Sequence, residues 1–136
     1  MNWEILLSHH PPEEGHRCVK VAGVHLCRRC LALYPLTFAV IALQLALKGV
    51  PEDLQLWLLA LGPLVPTLLF IAEQLDWLEY GPVQVYLGSL WLSIPLGVGL
   101  ARYLLDPLEP LFWGMVLIYG IPAGMSVLYR KWPRGA

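Results

Sequence analysis

Beyond residue 30 the chain has neither cysteine nor histidine, and charge is sparse along its whole length. Ionisable Asp, Glu, Lys and Arg make up 14 % of the 136 residues, against about a quarter in a typical soluble domain. A soluble fold of this size has too much surface to cover with so few charges. The formal net charge is −1, and phosphate binding needs a concentrated basic face, so nucleic acid is not an expected partner. No stretch reads as a nucleotide- or flavin-binding motif. Residues 1–30 lack the basic start and apolar core of a secretory signal.

What the chain does have is hydrophobicity, at 57 % of residues, and six tryptophans, which suit a bilayer interface. Four stretches are long enough to cross about 30 Å of hydrocarbon as helices. They are residues 31–47, 54–72, 80–101 and 110–129. The first carries no charge and stops at Lys48-Gly49-Val50-Pro51; Glu52 and Asp53 suit the first turn of the second. Runs this continuously apolar exclude a barrel, which would alternate. The expected fold class is all-α: a polytopic membrane protein of four transmembrane helices (residues 31–132) behind a short Cys/His-rich N-terminal segment (residues 1–30). The lipid bilayer is its first partner.

Basic residues set the expected orientation. Arg17, Lys20, Arg28 and Arg29 precede the first span, and Arg130, Lys131 and Arg134 follow the last, whereas the loops near 48–53 and 102–109 hold only Lys48 and Arg102. Positive residues stay inside, so both termini are expected on the cytoplasmic side of a plasma (inner) membrane. Prolines 35, 63, 66, 82, 95 and 122 interrupt the spans, and each one within a helix frees a carbonyl that a neighbour must satisfy. Ser89, Ser93, Gly97 and Ala101 recur every fourth residue, and Gly120 and Gly124 repeat the spacing; both stripes are packing signals, within the bundle or in a homo-oligomer or larger complex.

The chemistry-bearing residues are gathered at the mouth of the first span. Cys27 and Cys30 form a C-x-x-C, and Cys18, His9, His10, His16 and His25 lie upstream. Two thiols three apart can chelate one ion, pair as a redox disulfide, or stay unliganded as small apolar side chains. Mixed Cys/His ligation favours zinc, which would hold a short polar segment in one shape. Glu73 and Asp76, at the end of the second span, are expected at the same depth. Their i, i+3 spacing would put them on one helix face, where Asp76 could ligate the metal, orient a histidine ligand, or pair with Arg28 or Arg29. The bland alternative is that they mark a solvated helix end.

The pattern of His9, Arg17, Gly23, Cys27, Arg29, Cys30 and Tyr34 ahead of four spans resembles the small bacterial membrane proteins grouped as domain of unknown function family 2085. Ser8 stands where that family often has a leading Cys, which shifts ligation toward histidine, and Ala32 replaces a Gly. Asp76, Gln84, Gly88 and Gly97 look like further family positions. The resemblance implies a bacterial inner-membrane protein and points to the cysteine pair, but it implies no substrate. Three functions follow as expectations. The first is a scaffold or accessory subunit with a structural metal site, and it leans away from an enzyme. The second is a thiol–disulfide oxidoreductase using Cys27 and Cys30. The third is a small metal-ion or proton transporter or channel, with Glu73 and Asp76 as relay.

Overall fold

The structure is a computed structural model, and it describes residues 16–79 and 81–132. Four helical spans are long and apolar enough to cross a membrane: Arg28–Leu47, Glu52–Gln74, Pro82–Leu105 and Pro110–Lys131. Each coincides with one of the four apolar runs. The helices extend past the runs at several ends because charged residues such as Arg28, Arg29, Glu73 and Arg130 continue the helical backbone.

Span one is a single helix, α1 (Arg28–Leu47). It stops where expected. Lys48 takes the left-handed conformation (φ 46°), its N–H bonds the Gln44 carbonyl, and Pro51 follows. Span two breaks at Gly62-Pro63 into α2 (Glu52–Leu61) and α3 (Leu64–Gln74). Span three is α4 (Pro82–Leu105). Span four begins as α5 (Pro110–Met115), widens into one π-helical turn over Val116–Gly120, and continues as α6 (Ile121–Lys131). Pro122 lies just past that turn, and a π turn is one way a helix absorbs a missing N–H.

Span three is the hub. Its most extensive packing is with α1, and it also meets α2, α3 and α5. The close approach to α1 is made at Gly97, where a Cβ would stand 2.7 Å from Val40 Cβ and 3.0 Å from the Thr37 carbonyl oxygen. Ser89, Ser93, Gly97 and Ala101 are all buried, so this stripe serves packing within the chain. The Gly124 position is different: among the described residues nothing lies within 4 Å of a Cβ built there.

The break in span two shows how freed carbonyls are satisfied. Pro66 cannot donate to the Gly62 carbonyl, and Trp91 Nε1 of span three does so instead at 2.8 Å. The Tyr119 hydroxyl, on the π turn, donates to the carbonyl of Ala60 just before the break. Two neighbouring spans thus complete the hydrogen bonding that a kinked helix leaves open.

The exterior is apolar and the interior partly polar. Trp57, Leu87, Trp91, Ile118 and Leu128 are exposed, while Gln44, Gln55, Thr67, Glu73 and Ser93 are buried. In water this would be costly; an apolar surround suits it.

One element departs from the all-helical expectation. Residues Cys18–Val21 (β1) and Val24–Cys27 (β2) form an antiparallel hairpin that runs directly into α1. Its two-residue turn has positive φ at both Ala22 (49°) and Gly23 (85°), the mirror-type turn that matches strand twist. Glycine takes this conformation without strain, whereas Ala22 bears a cost of roughly 1–2 kcal/mol.

Candidate functional site

The hairpin brings the sulfurs together. Its register sets Cys18 directly opposite Cys27. Counting back from the closing Val21–Val24 pair, Cys18 and Cys27 fall on a non-hydrogen-bonded rung, where Cα atoms stand about 4.5 Å apart and side chains are close. Because strand residues alternate faces, His25 and Lys20 share that face, and Val19, Val21, Val24 and Leu26 take the other. Cys27 is also the N-cap of α1, so Cys30 lies in the helix's first turn. The Cys30 thiol shares hydrogen bonds with the Cys27 thiol and the Tyr34 hydroxyl. All three cysteines are thiols, with Cys18 and Cys27 buried.

Beside the thiols sits a buried ion cluster. Glu73, only 4 % exposed at the end of α3, accepts a hydrogen bond from Arg29 Nη2 through Oε2. Its other oxygen, Oε1, lies 3.7 Å from Arg17 Nη1. Arg29 also rests on the Phe70 ring, 4.5 Å from its centroid. One carboxylate therefore links the residue preceding the hairpin, the first turn of span one and the end of span two. At the same end Arg130 of α6 reaches the Gln74 amide oxygen at 3.4 Å.

Asp76 parts from Glu73. The helix ends at Gln74, and Asp76 adopts a left-handed conformation (φ 59°). Its N–H bonds the Glu73 carbonyl while Trp77 N–H bonds the Ala72 carbonyl, the paired bonds of a helix-terminating Schellman motif. The expectation that both carboxylates share one helix face is corrected here. The helix terminates between them, so Glu73 turns inward and Asp76 is exposed.

Of the expected ligands, Cys18 stands opposite Cys27 across the rung, and Cys27 meets Cys30 in the first turn of the helix. His25 lies two positions from Cys27 on the same strand face. His16 is exposed, two residues before the hairpin. His9 and His10 lie outside the described residues. Among the described residues, no group of three or more His, Cys, Asp or Glu side chains is placed to hold a metal ion.

The opposite end of the bundle holds a polar network of which only Arg102 stood out in the sequence, as an orientation signal. Arg102 donates from Nε and Nη2 to Glu109 Oε1 (2.9 and 2.7 Å) and from Nη1 to Gln55 Oε1 (2.7 Å). Gln55 Nε2 donates to the Val50 carbonyl at 2.7 Å, and Val50 N–H donates to Gln44 Oε1 at 3.1 Å. Glu109 Oε2 caps α5 by accepting the Phe112 N–H at 2.7 Å. Burial alone would raise the Glu109 carboxyl. The bonds from Arg102 and Phe112 outweigh burial and hold it below its usual value. The visible signal was two glutamines inside otherwise apolar runs, plus an Arg and a Glu flanking a Pro-containing turn.

Comparison of the chain with protein-family models, with curated proteins and with solved structures finds no match.

Proposed function

We propose that this chain is a multi-pass membrane protein that acts as a scaffold or accessory subunit. A zinc site on its N-terminal segment would hold that segment against the cytoplasmic face of the membrane. The observation that carries the reading is the gathering of Cys18, Cys27 and Cys30 at the start of span one. Thiolates three apart in sequence and across a hairpin rung are donors of the type zinc prefers. The described residues do not by themselves form a metal centre, and the proposal draws its four ligands from Cys18, Cys27, Cys30, His25, His16, His9 and His10. Arg29 and the Glu73 carboxylate beside the thiols would hold the segment in register with span two.

Membership of family 2085 belongs to the same proposal. Two of the matched residues have clear physical work: Gly23 supplies a positive-φ turn position, and Arg17 meets buried Glu73. Cytoplasmic termini rest on the basic residues clustered at that end.

A chelator experiment tests the zinc reading. In the purified protein, maleimide labelling of the thiols should be slow with metal present and accelerate several-fold after chelation, counted by intact-mass spectrometry. Labelling that ignores both chelator and added zinc would remove the metal from the proposal.

A second reading, thiol–disulfide exchange, is favoured by one observation: Cys27 stands next to both Cys18 across the rung and Cys30 in the helix. The Cα separation of such a rung falls within the range a disulfide spans. With oxidised glutathione as the oxidant, Cys27 and a neighbouring thiol should close an intramolecular disulfide as two glutathione thiols are released; three thiols still free after oxidation would eliminate this reading.

A further inference from the structure

A cavity of about 570 Å³ opens at the end of the bundle away from the thiols. It lies between the end of span one, the start of span two, the end of span three and the start of span four. In a bilayer this level is that of the lipid headgroups. The volume falls within the roughly 300–1,000 Å³ of ligand sites. Part of the Arg102–Glu109–Gln55 network lines it.

The floor has hydrogen-bond donors to spare. Gln44, 9 % exposed and part of the lining, accepts the Val50 N–H through Oε1, and its Nε2 donates to no group among the described residues. That nitrogen can be reached: the sealed polar atoms lacking a partner are Arg17 Nε, Arg28 Nε, Thr37 Oγ1 and Glu73 Oε1, and Gln44 Nε2 is not one of them. Arg102 has five N–H donors and spends three on Glu109 and Gln55, so two remain. Unspent N–H groups beside a guanidinium call for an anionic oxygen.

The rim carries both signs. Lys48, Glu52 and Asp106 line it and are exposed, and none of the three forms an ion pair among the described residues. A simple anion would leave Glu52 and Asp106 unmatched. A simple cation would leave Lys48 and the floor donors unmatched. A group that carries a phosphodiester and a primary ammonium answers both sets. Its phosphate oxygens accept from Gln44 and Arg102, with Lys48 adding charge, and its ammonium hydrogens reach Glu52 and Asp106. A quaternary ammonium has no hydrogen to give to a carboxylate.

We propose that this cavity binds a phosphoethanolamine group, with Gln44 and Arg102 holding the phosphate and Glu52 and Asp106 the ammonium. It stands independently of any metal on the thiols.

Lipid retention tests it. The protein is extracted from bilayers of equal parts phosphatidylethanolamine, phosphatidylcholine and phosphatidylglycerol with matched acyl chains, and bound lipid is counted by native mass spectrometry. One phosphatidylethanolamine per chain is expected, favoured at least about five-fold over each of the others by its charge-assisted bonds. Calorimetric titration with water-soluble glycerophosphoethanolamine separates the sources. Saturation at one per chain assigns a free solute as well as a lipid, and retention of the lipid alone assigns the bilayer. Gln44→Glu keeps the acceptor for Val50 but replaces the free donor with a carboxylate, and should weaken binding at least about ten-fold. Glu52→Gln lies on the exposed rim, leaves folding intact, and should reduce the preference for ethanolamine over choline to near unity. It decides the matter if Gln44→Glu does not fold. Retention of phosphatidylcholine or phosphatidylglycerol at the level of phosphatidylethanolamine, binding of neither lipid nor soluble head, or unchanged selectivity in Glu52→Gln would each overturn the proposal. So would unchanged binding in a folded Gln44→Glu protein.

Discussion

Arg17 Nη1 lies 3.7 Å from Glu73 Oε1, which ties the residue before the hairpin to the end of span two. Glu73 also receives Arg29, so two guanidinium groups share one buried carboxylate. Removing the carboxylate leaves both cations facing each other in a dry setting, whereas removing Arg17 leaves Glu73 still paired. Loss of one partner from a buried pair typically costs about 3–5 kcal/mol. Glu73→Ala is therefore expected to lower stability by roughly that amount, and Arg17→Ala by clearly less. Thermal unfolding of the purified variants, followed by circular dichroism, gives the order; an Arg17→Ala effect equal to or above that of Glu73→Ala contradicts the arrangement.

At the opposite end, the Glu109 carboxyl is held below its usual value of 4.5. A group depressed in the folded state adds stability that is fully present above the unfolded-state value. That stability fades as pH falls through the folded-state value. Wild type should lose thermal stability on acidification from pH 6 to below 4.5, and Glu109→Gln should be less stable at pH 6 yet show a shallower acid slope. Parallel slopes in the two proteins would show that Glu109 does not contribute.

Packing of span one on span three rests on Gly97. A side chain there would meet Val40 and the Thr37 carbonyl, the latter being backbone that cannot step aside. Gly97→Val should destabilise by about 1–3 kcal/mol, the usual range for overpacking. Gly124→Ala, by contrast, meets open space and should be neutral or slightly stabilising through helix propensity. Similar losses for both substitutions in unfolding experiments would contradict this assignment.

Tyr119 and Trp91 complete the break in span two by donating to the carbonyls of Ala60 and Gly62. Tyr119→Phe keeps the ring and removes only the hydroxyl, which should cost about 1–3 kcal/mol if the carbonyl is left without a donor. Unaltered stability of Tyr119→Phe would mean that the carbonyl finds another partner.

How far the sequence reveals these features depends on where the physics is local. The four spans are legible because continuous apolar length over 31–47, 54–72, 80–101 and 110–129 is a property of the chain itself. The stop at Lys48–Pro51 is likewise local. The hairpin is not legible, although Val19, Val21, Val24 and Leu26 alternate about Ala22-Gly23; four-residue strands beside a cysteine cluster resemble a metal-binding segment more than a ladder. Glu73 lies at the depth of the first span's start, as expected, but meets Arg29 and Arg17 instead of sharing a helix face with Asp76. Spacing assumes that the helix continues to Asp76, and only the termination after Gln74 shows otherwise. The Arg102–Glu109–Gln55 network depends on span two meeting spans three and four, which no local pattern encodes.

The central claim is that sulfur ligands at the head of span one hold one zinc ion. Element-resolved mass spectrometry of the protein, purified without added metal, tests it most directly, with Cys27→Ser and Cys30→Ser measured alongside. The expected result is close to one zinc per wild-type chain and a drop to a small fraction in both variants. Wild-type zinc near zero, or zinc retained at the same level in both variants, would contradict it.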